Sequence, residues 1–184
     1  IADPAKAEAL YTEANNAIRE LVPMIPIAHG ASANAALKTV QNVNVPPFRA
    51  PEFAVMDSGK DTIVFMQNAE PISLYCADET DGETFRACEQ INEALLSYEV
   101  GTTNVEPALA EKYEVNDELT EWTFTLRPDV TFSDGSALDA EDVVTSWTAQ
   151  WDAASPLHKG RIGDFTYFQA YFAKFKNAPE EPAQ

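Results

Sequence analysis

Glu106-Pro-Ala-Leu-Ala-Glu-Lys-Tyr-Glu-Val115, a short acidic turn, Glu121-Trp-Thr-Phe-Thr-Leu-Arg127, Val130-Thr-Phe-Ser-Asp-Gly-Ser136 and Asp139-Ala-Glu-Asp-Val-Val-Thr-Ser-Trp147 follow one another along the chain, and their order decides the fold. Trp122, Phe124 and Leu126 alternate with polar residues, the period of a half-buried strand. Asp134-Gly135 carries turn chemistry, because glycine accepts backbone angles that a Cβ resists. Asp139 with Asp142 three residues on is a capping-box variant. It opens a helix expected to bury Val143, Val144, Trp147 and Trp151. The expected order is strand, turn, strand, capped helix.

The run P-x-L-A-E, W-x-F-x-L-R, F-S-D-G-S and A-E-D-V-V resembles the extracellular solute-binding proteins of peptide-type ABC transporters, the family 5 solute-binding proteins. The resemblance continues upstream through Thr62-Ile-Val-Phe-Met-Gln-Asn-Ala-Glu-Pro-Ile-Ser-Leu74 and a helix expected over Gly82–Tyr98. These are similar to the family's first strand, its ligand-side loop and its first helix. Together they cover the chain from Thr62 to Phe168.

The resemblance implies a mixed α/β (α+β) fold: a partial periplasmic-binding-protein-like lobe, with a mixed sheet flanked by helices. It also implies a solute held between two lobes, one wall being the loop after the first strand. That wall corresponds to Ala69–Tyr75, with Glu70, Ile72, Ser73 and Tyr75 as ligand-binding candidates. Glu70 would meet a ligand amino group, and backbone near Ile72 and Ser73 would pair with an extended peptide. The alternative is that Ile72 and Leu74 are core and Glu70 is solvated. The implied partners are a peptide or similar small solute and the membrane permease of an ABC transporter.

Residues 3–29 resemble the far end of the same proteins. Asp3-Pro4 caps a helix in which Ala7, Leu10, Tyr11, Ala14, Ile18 and Leu21 recur at helical spacing. The apolar run Leu21-Val-Pro-Met-Ile-Pro-Ile-Ala-His-Gly30 is similar to the family's closing segment. A tail-like segment thus precedes a head-like one, which reads either as a circular permutation or as a fragment of a longer chain. The expected divisions are a closing segment of the first lobe (1–41), a linker (42–61), an opening segment (62–105), the start of a second lobe (106–175) and a flexible tail (176–184). On this reading Met24–Ile27 shares a sheet with Thr62–Met66, and the helix Pro4–Leu21 packs against it.

With 184 residues and 45% apolar side chains the chain can bury a core. Its net charge of -18 disfavours nucleic-acid phosphates and anionic lipid surfaces. No stretch reaches the roughly 18 apolar residues needed to span a bilayer, and no signal-peptide pattern is read, so the compartment rests on cysteine chemistry. Cys76 and Cys88 are the only cysteines. A loop folding back on its helix brings such a pair within bonding range, and a disulfide points to an extracellular or periplasmic setting. Metal binding by the pair is disfavoured by the absence of CxxC spacing, with only His29 and His158 to assist.

No catalytic set emerges. His29 and His158 lack a nearby nucleophile-like Ser or Cys and read as structural or exposed, and neither GxGxxG nor GxxxxGK occurs. The acidic loop Asp78, Glu79, Asp81 and Glu83 lacks the alternating spacing of a calcium loop. Glu141 and Asp142 sit at a helix start, where the dipole accounts for them. Neither an enzyme, nor a cofactor, nor a metal is expected. Phe165, Phe168 and Phe172, with Tyr167, Tyr171 and Phe175, recur at helical spacing; core packing is the default, and the surplus suits self-association. That surplus supports an alternative function, an extracellular self-assembling filament or sheath subunit derived from the solute-binding fold.

Overall fold

The computed structural model describes residues 3–25, 27, 28, 30, 33–161 and 163–179. The predictions for His29 and for Pro26 in the apolar run lie outside them, as does the tail beyond residue 179. Helix α1 spans Pro4–Leu21. Asp3 Oδ1 accepts from the Ala5 and Lys6 amides at 3.0 and 3.4 Å, and the helix ends where Val22 turns left-handed at φ 44°. Sequence and structure agree on this local element, but its surroundings differ from expectation. Leu10, Ile18 and Leu21 are all exposed, and among the described residues the helix makes no extensive contact with either sheet.

The shared sheet does not form. Neither the residues around Met24 nor Thr62–Met66 are strands; Ile25 and Ile27 are exposed, and Val64 and Met66 are each 91% exposed. A lone extended segment without a ladder partner leaves its backbone groups to water, and no described strand flanks either segment. Residues 63–66 still alternate. Phe65 packs on Phe53 at 4.9 Å and beneath the Arg86 guanidinium at 5.4 Å, while its neighbours point outward.

Residues 42–61 form a docked loop. Asn44 and Glu52 exchange side-chain and backbone hydrogen bonds. Pro46 and Pro51 are buried. The loop is held by α2 (Gly82–Ile91): Glu89 accepts from the Ala50 amide at 2.8 Å, and Gln90 bonds Phe53 and Pro51. Helix α2 stops at Ile91 rather than Tyr98. Asn92 turns extended, and Leu96–Tyr98 becomes β1, antiparallel to β2 (Val105–Pro107). Long-range pairing outweighs helical propensity there.

Strands β3 (Ala110–Val115) and β4 (Trp122–Leu126) form the second two-stranded sheet, with Val115 opposite Trp122 and an irregularity at Ala110/Lys112. The expected strand after the Asp134-Gly135 turn shrinks to one bridge, Thr131 to Ala137, closed by Gly135 at φ 88°. Its turn bonds are local, and no neighbour extends the ladder. Helix α3 (Ala140–Trp151) carries the expected capping box, with Asp139 and Asp142 each bonding the other's amide. Its expected buried face is open: Val144 and Trp147 are exposed, and Val143 and Trp151 are half-buried. The aromatic helix α4 is confined to Thr166–Phe172. Mixed α/β architecture is therefore present as two small sheets and four helices among the described residues. The buried apolar residues there are Pro46, Pro51, Cys88, Ala108, Ala110 and Phe165, and Asp78, Glu79 and Thr84 are buried polar groups. The buried polar groups thus gather about the N-terminus of α2.

Candidate functional site

The loop entering α2 is held at several points. Asp81 caps the helix by accepting from the Thr84 amide at 2.8 Å. Fully buried Thr84 turns its Oγ1 to the Ile72 amide, which donates at 3.0 Å. The Cys76–Cys88 disulfide is present, with Cα atoms 5.9 Å apart, and ties the 3₁₀ turn Cys76–Asp78 to α2. Asn92 Nδ2 donates to Cys76 Sγ at 3.2 Å.

A second layer comes from beyond α3. Arg161 N–H donates to Asp78 Oδ2 at 2.5 Å, and the Arg161 guanidinium lies 5.1 Å from the Tyr75 ring centroid. Phe165, 3% exposed, meets Tyr75 edge-on at 6.5 Å and stacks on His158 at 4.5 Å. His158 shares its Nδ1 with the Ala149 carbonyl at 3.0 Å, consistent with the structural role expected of it.

The four ligand candidates fall on this one loop but not in one chemical state. Glu70 is exposed at its upstream end. Ile72 is 55% exposed and Leu74 66%, so neither is core. The Ile72 N–H is committed to Thr84, which removes it as a donor to an extended peptide. Ser73 is half-buried and accepts from the Tyr75 amide at 2.8 Å, and Tyr75 is half-buried under Arg161 and Phe165. Phe165 is too enclosed to serve as a self-association residue. Phe168 and Phe172 pack on Trp147, with Phe172 also on Trp151, while Tyr167, Tyr171 and part of Phe172 stay exposed. Thr84, Asp78 and Arg161 were missed by sequence reasoning. Thr84 carried a signal, standing three residues after a capping aspartate. Arg161 carried none, being 83 residues from Asp78.

Electrostatics divide the acidic loop. Burial first, then Asp78 and Asp81, push the Glu79 carboxyl above its ordinary value, whereas the Thr84 hydroxyl and backbone amides hold Asp81 below its own. Among the described residues no group of three His, Cys, Asp or Glu side chains is arranged to hold a metal ion. No described helix is long and apolar enough to cross a membrane.

Two open clefts lie elsewhere, along α3. One of about 780 Å³ is lined by Leu95, Leu96, Phe124, Val143 and Trp147; the other, about 400 Å³, shares Leu95, Phe124 and Trp147 and reaches Trp151 and Lys176. Neither touches residues 70–75. The smaller cleft is largely apolar, whereas the larger also carries Asn92, Glu93, Asp142 and Gln150 on its wall. The anchored loop is kept as the candidate site for its fixed, exposed side chains rather than for a cavity.

Residues 104–170 match the family described as bacterial extracellular solute-binding proteins, family 5 Middle. The chain is 34% identical over 115 residues to the dipeptide-binding protein of Escherichia coli, a match covering 59% of this chain and 22% of that protein. It is 32% identical over 120 residues to heme-binding protein A of Haemophilus influenzae, covering 61% and 22% respectively. The solved structure of HbpA2 from Haemophilus parasuis superposes with a TM-score of 0.52 at 34% identity, covering 56% of this chain and 22% of that one. The chain therefore spans about a fifth of the length of these relatives. The filament alternative draws no support from the matches.

Proposed function

We propose, from the premise that residues 104–170 belong to the family 5 extracellular solute-binding proteins, that this chain is part of the solute-binding component of an ABC importer. It works outside the cytosol and takes a peptide or similar small solute. Its partner is the membrane permease, and its role is capture rather than catalysis.

The observation that carries this reading is a loop held rigidly while presenting apolar side chains to solvent. The disulfide and the Thr84 bond fix residues 72–76. Yet Ile72 and Leu74 remain more than half exposed. Exposed apolar groups on an anchored loop suit a pre-formed wall, because ordering costs are met before the solute arrives. Glu70, exposed beside them, supplies a carboxylate for a ligand ammonium. Since the Ile72 amide is already used, side chains and carbonyl oxygens, rather than Ile72 N–H, would hold the solute.

The test is calorimetry with a mixed di- and tripeptide library on the wild-type chain, Glu70→Ala and Ile72→Ala. Saturable binding that weakens about tenfold in Glu70→Ala fits loss of one charge-assisted contact. Binding unchanged in both variants would move the site away from this loop. No binding at about millimolar peptide, a free energy near -4 kcal/mol, would overturn the proposal for this chain.

A further inference from the structure

Gly160, Arg161 and Gly163 close over the candidate wall at Asp78–Glu79. Besides the Arg161 bond to Asp78 and the Tyr75 contacts, the backbone at Gly163 lies against the Asp78 carbonyl so closely that no side chain fits there, and Gly160 is similarly tight against Gly163. Two glycines thus permit a close backbone crossing. Beneath it Glu79 is 5% exposed, and its Oε1 has no hydrogen-bond partner among the described residues. A buried carboxylate without a donor is costly, whereas the protonated acid is far less so.

The surrounding charges do not relieve it. From its own loop Glu79 faces Asp78 and Asp81, both negative. The crossing segment brings Arg161, but its guanidinium is drawn over the Tyr75 ring; Lys159 is exposed, and His158 stacks between Phe165 and Phe175. Helix α2 brings Glu83, a further acid, and Arg86, whose guanidinium turns to Phe65 and Gln67.

We propose that Glu79 makes this crossing a proton-controlled clasp: closed over the ligand-side loop while Glu79 carries a proton, loosened when it ionises. The clasp stands whatever the chain binds. The sign follows from linkage. Burial and the two neighbouring aspartates raise Glu79 above the ordinary 4.5. The folded, closed state therefore binds the proton more tightly than the open one. Its contribution is complete below the ordinary value and is lost as pH rises through the raised one.

Hydrogen exchange on the whole disulfide-bonded chain, corrected for intrinsic rates, reads opening of the peptides covering 74–80 and 157–165 in steps from about pH 4 to about pH 8. In wild type, opening should increase on the order of tenfold at the higher pH. Glu79→Gln, which cannot ionise, should show no such increase, and Gly163→Ala should be open at both. Asp81→Asn keeps a good helix cap but removes one neighbouring charge, so the transition should move to lower pH. Equal protection of wild type at both pH values overturns the proposal. So does a wild-type response in Glu79→Gln, or a transition that Asp81→Asn leaves in place.

Discussion

Helices α1 and α2 both begin with an aspartate cap, and there their likeness ends. The 18-residue α1 has its apolar positions in water. The 10-residue α2 is pinned by a disulfide, by buried Thr84, and by Glu89 and Gln90 reaching back to residues 50–53. Length and capping therefore made a helix but did not integrate it. A cap satisfies amides within one turn, while placement in a fold depends on side chains that meet residues far along the chain.

Replacing both Cys76 and Cys88 with serine should have the largest effect. A loop closed over this 12-residue separation contributes about 3 kcal/mol in the chain-entropy account. Chemical denaturation should show the lost midpoint, while exchange in α1 should stay as it was. An equal loosening of α1 would break the contrast between the helices.

Thr84→Val comes next. It strips the acceptor from the Ile72 amide inside a buried site, costing about 1–3 kcal/mol. It also removes the first cause of the lowered Asp81 carboxyl. A lowered carboxyl stabilises the fold above its unfolded value, ordinarily 3.8, and that stability is lost as pH falls through the folded value. Without the Thr84 hydroxyl the acid loss from Asp81 should shrink, so the variant's deficit should narrow in strong acid. A deficit constant down to about pH 2 would sink the coupling.

Asp3→Ala should fray α1 by about 1 kcal/mol of local stability, seen in circular dichroism and in exchange of residues 5–8, and leave the denaturation midpoint in place. Ile18→Ser should do least, within about 0.5 kcal/mol, because an exposed side chain has little burial to lose. A larger loss of midpoint would mean that α1 is packed in solution, restoring the expected single lobe.

The parts of the fold legible in the sequence are those that close within a few residues. Asp3 and the Asp139–Asp142 box act over three positions, as does the Asp134-Gly135 turn. The disulfide was legible because two lone cysteines stand twelve apart. The Ile91 helix end was not, since Leu96–Tyr98 finds its partner only when Val105–Pro107 folds back. Likewise the candidate loop was located from its motif, but its working state was not: the commitment of Ile72 N–H and the screening of Tyr75 depend on Thr84, Arg161 and Phe165.

Local hydrogen-bond geometry let the sequence by itself determine the helix starts and the turn, while cysteine spacing and motif order marked the disulfide and the family that residues 104–170 match. Tertiary structure alone decided that Met24, Ile25, Ile27, Val64 and Met66 stand exposed outside any strand, and that Phe165 is enclosed rather than outward. It alone also brought a segment 83 residues downstream to cover Asp78 and Glu79. Apolar periodicity states that a face seeks burial, but not which distant surface arrives to bury it, because that choice is made by packing and backbone pairing between segments far apart in the chain.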